Sequence, residues 1–466
     1  MLRRGLLGLI AIGTVGVTAC RLGPRHGRTV VFASGAELQT LNPLFTTHPL
    51  AKQIERYVLL TTLVRYDARF NVRPYLARSW DWSTDHRALI LHLFRGLRWE
   101  DGAPTTARDA AWTLEAARDP ATGFPRLNDL ESIAAIAAAD DTTLVLRFAS
   151  PPSGIPDVLT DLAILPAHLL DTVPHARMRS ASWNAQPVGN GPFRVVLHET
   201  NRRWVFAARP EFPAALGGPP RLDRFVVVMV DEPTTKLSAL ATGEVDFAGI
   251  QPAHAAFVRR DSDLTLFDYP TLRADVIVFN ARRSPFDDRR VRTALSLALD
   301  RQAIVDGYLY GFGTAADSPL SPALQSSAHH ARAADPEVAR GLLGGRRIAF
   351  ELLTVGSGEA PLEQMVQAQL RPVGFDVSIR QVELSAYLDR VYGRPDFQAA
   401  VLGIGGEVGQ GYLATLARLA GVDRDSLPAA FLYYARGLQG ANRRVHGVQM
   451  DFRGELPTVA QWSVAP

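Results

Sequence analysis

Leu222-Asp223-Arg224-Phe225-Val226-Val227-Val228-Met229-Val230, running straight into Asp231-Glu232-Pro233, is the stretch that decides the fold. Its β-branched run suits a strand buried on both faces, and the acid-acid-proline sequence after it suits a helix start. Leu237, Leu240 and Ala241 then recur at helical spacing, Gly243 stops the helix, and residues 245–247 begin another strand. A strand, a crossover helix and a second strand make an α/β unit. The same grammar returns downstream. Residues 275–280 read as a strand. Pro285 and Asp287 open a helix with Val291, Leu295 and Leu299 at four-residue steps. Residues 348–354 read as a strand, and Leu362, Val366 and Leu370 mark a helix that Gly374 ends. Residues 375–382 and 397–402 are further strands. Upstream, residues 29–34 form a short apolar strand, and residues 89–94 and 144–148 alternate as half-buried strands do. Residues 107–118 between them are helical, with Ala110, Leu114 and Ala117 on one face. Pro151, Pro152 and Pro156 mark a loop. Two α/β regions and a strand-rich insertion near residues 48–185 predict an α/β protein of at least three lobes.

A chain of 466 residues, 47% hydrophobic and 21% charged, has ample core and is neither disordered nor fibrous. Lys+Arg is 50 against Asp+Glu 47, a net charge of +3, and no arginine-rich face carries interleaved aromatics. Nucleic-acid binding is therefore disfavoured. Cysteine occurs once, at Cys20, so an intramolecular disulfide and a multi-cysteine metal site are both excluded. Arg3 and Arg4 precede an uncharged, greasy run over residues 5–19. That run is short for a spanning helix and fits an export signal. Val17-Thr18-Ala19-Cys20 resembles a bacterial lipobox. The resemblance implies a signal over 1–19, lipidation of Cys20 as the new N-terminus, a linker over 20–27, and a mature protein tethered to the membrane.

No catalytic constellation is present. The sequence has no G-x-S-x-G elbow, no H-E-x-x-H and no G-x-x-x-x-G-K-[ST], and His329-His330 lie in a polar stretch that reads as a loop. Gly403, Gly405 and Gly409 stand between the strand 397–402 and the apolar residues 412–419, which is the context of a phosphate loop. Glu407 inside that loop would repel phosphate. The loop therefore reads as a binding position at a strand's carboxyl end, without a nucleotide. No cofactor and no metal site is expected.

Several blocks then resemble the extracytoplasmic solute-binding proteins of peptide and nickel ABC importers, solute-binding family 5. Leu76-Ala77-Arg78-Ser79-Trp80 with Ser83 and Asp85 is similar to the family's A-x-S-W-x-x-S-x-D block. RGLRWEDGAPTTARD over 95–109 resembles its R-x-G-x-x-F-x-D-G-x-P-x-T-A-x-D signature, with the first glycine one position early. Pro187-Val188-Gly189-Asn190-Gly191-Pro192-Phe193 and KLSALATGEVD over 236–246 resemble two more blocks. Phe279-Asn280, Pro285-Phe286, Asp288-Arg289-Arg290-Val291-Arg292 and Ala298-Leu299-Asp300-Arg301 complete the series in the family's order.

The resemblance implies a two-lobed, type II periplasmic-binding-protein-like fold with an extra inserted lobe. The first lobe would hold 28–47, 186–269 and 428–466, the insertion 48–185 and the second lobe 270–427, with hinges near Pro270 and Pro428. It implies binding rather than catalysis. A peptide or peptide-like solute would sit in an interlobe cleft and pass to an ABC permease and its ATPase, outside the cytoplasm, from a protein acting as a monomer. Nickel or metal-chelate binding, or binding of another organic solute, is the alternative. In the family's peptide binders an aspartate after a second-lobe strand pairs with the ligand's α-amino group; Glu407 stands there, and Ile404 replaces the family's tryptophan. Glu37, Thr40 and Asn42 from the first strand-to-loop segment, and Tyr269 and Arg273 at the hinge, are the other pocket candidates. The resemblance also carries a departure. A two-helix stretch that relatives have after Leu416 is lacking here, which predicts one uncovered face of the second-lobe sheet, a weakened second lobe and weak peptide binding.

Overall fold

The computed structural model describes residues 27–321, 324, 331–405, 411–423 and 426–465. The signal, Cys20, His329-His330 and Glu407 lie outside the described residues. One eleven-stranded sheet runs through the molecule. Its strands are β1 (Thr29–Ser34), β2 (Phe193–Glu199), β3 (Arg203–Ala208), β4 (Arg224–Met229), β5 (Phe247–Gly249) and β6 (Leu264–Phe279). They continue as β7 (Gly313–Ala315), β8 (Ile348–Val355), β9 (Phe375–Val382), β10 (Ala399–Gly405) and β11 (Ala429–Asn442). The spatial order is β9-β8-β10-β6-β11-β5-β1-β4-β3-β2, with β7 on β11.

The deciding stretch folds as read. β4 leads into the helix Pro233–Ala241, whose first turn is capped by the Glu232 carboxylate accepting from the Thr234 amide at 3.0 Å. The unit then returns in β5. β4 and β5 are not neighbours: β1 lies between them and is parallel to both.

β6 has 16 residues and β11 has 14, and they pair along most of their length. Leu264 to Pro270 pair with Arg436 to Asn442 in the first lobe, and Ala274 to Val278 pair with residues between Ala429 and Tyr434 in the second. The register shifts between Pro270 and Ala274. Proline has no amide proton for a ladder, so a central strand tolerates it at such an irregularity. The expected hinge at Pro428 is displaced. Residues 429–434 pair with the second-lobe half of β6, and Ala430, Leu432 and Tyr433 are buried in the second-lobe core. The returning strand changes lobe near Ala435, where its apolar run over 429–435 gives way to the more polar residues 436–442 that pair with the first-lobe half of β6.

The inserted lobe carries a four-stranded sheet, Ala77–Trp82, Ala88–Leu93, Thr143–Phe148 and Ile133–Asp140 in spatial order, with the helix Ala107–Arg118 packed on it. It does not have a core of its own. Val30 and Phe32 of β1, Leu91 and Leu114 of the insertion, and Trp462 near the C-terminus belong to one buried cluster. Trp99 is buried there, while Trp80 and Trp82 sit half-buried at its margin.

Both faces of the second-lobe sheet are covered. Ile277, Phe279 and Leu352 pack under the helices Arg289–Ala298 and Pro361–Leu370. Val276, Val278 and Leu402 pack under Tyr387, Val391, Leu416 and Leu419. The expected bare face is therefore absent. The segment 384–393 and the helix Gly411–Ala420 fill it, and leave Leu384 57% and Leu388 45% exposed on their outer side.

Candidate functional site: the interlobe cleft

Where β6 and β11 pass between lobes, a cleft of about 810 Å³ opens. Its walls come from distant parts of the chain. The insertion contributes Lys52, Arg56, Arg65 and Tyr66; the hinge and second lobe contribute Tyr269, Arg273, Asp275 and residues 403–405; the C-terminal segment contributes Phe452 and Glu455.

Lys52 and Gln53 reach the cleft from the helix Pro49–Ile54, and Arg56 reaches it from the π-helical turn Glu55–Leu59 that continues it. Such turns recur at functional sites. Asp161 is the focus of this wall. It pairs with Arg56, accepts from Arg126 Nη1 at 2.7 Å, and lies 3.9 Å from Lys52. Burial pushes its carboxyl up, but Arg56, Lys52 and Arg126 outweigh burial and hold it well below the usual carboxylate range. Glu55 shows the opposite balance. Burial drives its carboxyl well above its ordinary value, and its Oε1 has no hydrogen-bond partner among the described residues. Tyr66 donates its hydroxyl to Asp157. Arg65 lies 3.4 Å over the Tyr75 ring and donates from Nη2 to the Arg56 carbonyl at 2.6 Å.

On the opposite wall Asp275 of β6 sits between Gly403 of β10 and Tyr433 of β11. Burial raises its carboxyl, and Arg273, at 3.5 Å, pulls it down. The Arg273 guanidinium is 65% exposed and occupies the space that a side chain at Gly403 would need. Tyr269 closes the hinge end. Its hydroxyl donates to Glu455 Oε1 at 2.7 Å, and Gln53 donates to the other oxygen of the same carboxylate. The ring lies on Gly437, where a Cβ would come within 2.1 Å of it.

Of the residues expected from the sequence, Tyr269 and Arg273 line the cleft. Glu37, Thr40 and Asn42 do not. Glu37 accepts from the Asn201 amide at 2.7 Å and from Trp204 Nε1 at 2.9 Å. Thr40 Oγ1 accepts from the Asn42 amide at 3.1 Å. Asn42 is fully buried, donating to Asn184 at 2.8 Å and accepting from the Leu44 amide at 3.0 Å. Glu37 thereby holds the loop after β1 to the first lobe and Asn42 holds it to the insertion, while Thr40 bonds within the loop itself. The Glu407 expectation lies outside the described residues; residues 403–405, which lead to it, line the cleft. Arg56, Arg65 and Asp275 were not anticipated. The only local signal for Arg65 is its place in a short strand, Val64–Tyr66, between apolar residues and a tyrosine.

A family model for bacterial extracellular solute-binding proteins, family 5 Middle, matches residues 71–418. The chain belongs to this family. Among the family 5 relatives, a putative ABC transporter peptide-binding protein of Brucella ovis is 28% identical over 342 residues, covering 71% of this chain and 64% of the relative. The chain thus spans somewhat less than two thirds of that relative's length. The glutathione-binding protein GsiB of Escherichia coli is 26% identical over 405 residues, covering 84% of this chain and 77% of GsiB. The oligopeptide-binding protein AppA from Bacillus subtilis, solved with a nonapeptide, superposes with a TM-score of 0.78 at 21% identity, covering 95% of this chain and all of AppA (100%). NikZ from Campylobacter jejuni, solved with Ni(L-His), gives 0.78 at 19%, covering 93% and 99%. The fold is accordingly the two-lobed α/β fold of type II periplasmic binding proteins, with the inserted lobe.

Proposed function

We propose that this chain is the extracytoplasmic substrate-binding component of an ABC importer. It takes a peptide or peptide-like solute into the interlobe cleft and delivers it to a membrane permease and its ATPase, acting as a monomer and without catalysis. The observation that carries this reading is the position of the cleft. It lies where two strands common to both lobes cross between them, so hinge bending closes its walls on a ligand. The names of the Brucella and Escherichia relatives support a peptide as cargo. Glu407, two residues beyond Gly405, is proposed to meet the ligand's cationic group, because a carboxylate in a closed cleft is costly unless a cation reaches it.

Calorimetry on the mature chain with short peptides tests this. Binding is expected, and Glu407→Gln should weaken it by roughly thirtyfold, the loss typical of a buried charge partner. Absence of heat from every peptide tried rejects the peptide reading, and binding of nickel-histidine in its place would establish the chelate alternative that NikZ suggests. The reading extends to export and anchoring through the signal 1–19 and lipidated Cys20. Cys20→Ala should move the protein from the membrane fraction to the soluble one; identical fractionation of both forms removes the anchor from the proposal.

A further inference from the structure

Besides the two strands that both lobes share, the second lobe reaches into the first with a side chain. Among the described residues, Phe312 is the single buried apolar side chain from 270–427 that belongs to a core cluster of the first lobe. The helix Arg301–Tyr308 ends in a turn where Tyr310 and Gly311 are both left-handed, with φ of 52° and 82°. The turn sends its apolar residues apart: Leu309 stays in the second-lobe core, and Phe312 enters the first. The Phe312 carbonyl accepts from the Arg436 amide of β11 at 3.2 Å. Its ring is 9% exposed and is clustered with Val31, Ile250 and Leu438, and the Arg259 guanidinium lies over it at 4.9 Å.

The ring is on the far side of the hinge from the cleft. Alternate residues of a strand point to opposite faces. Leu438 follows Gly437, on which the Tyr269 ring lies, so the cluster that holds Phe312 is on the face opposite Tyr269. In β1 the same division holds: Val31 belongs with Phe312, whereas Val30 and Phe32 belong with the insertion. The cleft is open to water, with the Arg273 guanidinium on its wall 65% exposed. Bending that brings the second lobe onto the insertion's wall draws the opposite face apart, lifts Phe312 from its cluster and exposes apolar surface.

We infer that Phe312, with Arg259 over it, is a latch on the back of the hinge that holds the cleft open. The inference rests on the reading above, in which hinge bending closes the cleft on a ligand, and adds what that closure works against. Such a latch lowers the apparent affinity by the fraction of molecules able to close. Loosening it tightens binding, the reverse of ordinary damage to a core.

The test uses the mature chain, calorimetry with trialanine, and small-angle X-ray scattering of the ligand-free protein. Phe312→Ala should bind trialanine roughly tenfold more tightly than wild type, although it unfolds more easily. Its ligand-free radius of gyration should be smaller. Arg259→Gln, on the exposed side of the ring, should bind about two- to fivefold more tightly, and it decides the matter if the alanine variant does not fold. If wild type binds trialanine, unchanged or weaker binding by the deciding variant overturns the latch and leaves the peptide reading standing. If wild type does not bind trialanine, the result counts against the peptide reading, and the radius decides the latch: a smaller value in the variant supports it, and an equal or larger one overturns it.

Discussion

Glu100 lies at the turn of the signature block 95–109 and accepts from the Gly189 amide at 2.8 Å. Burial pushes its carboxyl up to about 7 from an ordinary 4.5, against the Gly189 amide and the Arg209 charge, which pull it down. A folded value above the unfolded one means that the native state holds a proton that the unfolded chain has released. The contribution to stability is therefore complete below about pH 4.5, declines as the pH rises, and is lost above about pH 7. The full span is on the order of 3 kcal/mol. Glu100→Gln keeps the neutral form at every pH. Relative to wild type it should gain stability between pH 5 and pH 8, read from urea unfolding at both; a constant difference between the two proteins would refute this. At this scale the sequence was legible where a residue's role is local, as with Glu232 at its helix start or Gly243 at its end. It was misleading for Glu37, Thr40 and Asn42. The partners of Glu37 and Asn42, namely Trp204, Asn201 and Asn184, lie far along the chain, where only the fold brings them close, while Thr40 is taken up by the Asn42 amide within its own loop.

The elements that match the sequence most closely are those with a strong period and clear punctuation: the helix Ala107–Arg118, β9 before its loop, and β1. Two strands were hidden for physical reasons. Ile133–Asp140 is mostly alanine, a helix former, and becomes a strand because it pairs with Thr143–Phe148 at the edge of a sheet. β6 looked short because Pro270 interrupts it, yet the strand continues through a register shift. That strand also carries an element-level constraint. Tyr269 and Gly437 face each other across β6 and β11, and the ring occupies the space above the glycine. Gly437→Ala should therefore force the ring off Glu455 and lower stability by about 1–3 kcal/mol, the range of overpacked cores. Combined with Tyr269→Ala, the loss should be less than the sum of the two single losses, because the alanine then meets no ring. Simple additivity in urea unfolding would mean that the ring yields freely.

At the scale of the molecule, the two-lobed α/β fold followed from the blocks read in sequence, while the cleft's chemistry did not. Arg65, Asp275 and Glu455 belong to three regions that touch one cleft, and no spacing in the chain announces that meeting. The sheet order has a further consequence, for the timing of folding. In the sheet of the described residues, the strands β1 to β5 adjoin the second lobe only through β11, since β5 pairs with β11 and β6 pairs with β11 and β10. β11 is made of residues 429–442, near the end of the chain. Until it arrives, the sheet is two unjoined halves with open edges. Contacts of such sequence separation form slowly, and open edges are prone to wrong pairing. If the chain is exported from its N-terminus, as proposed, its two halves stay apart through nearly the whole passage, and the last strand of this sheet to emerge is the one that zips them together.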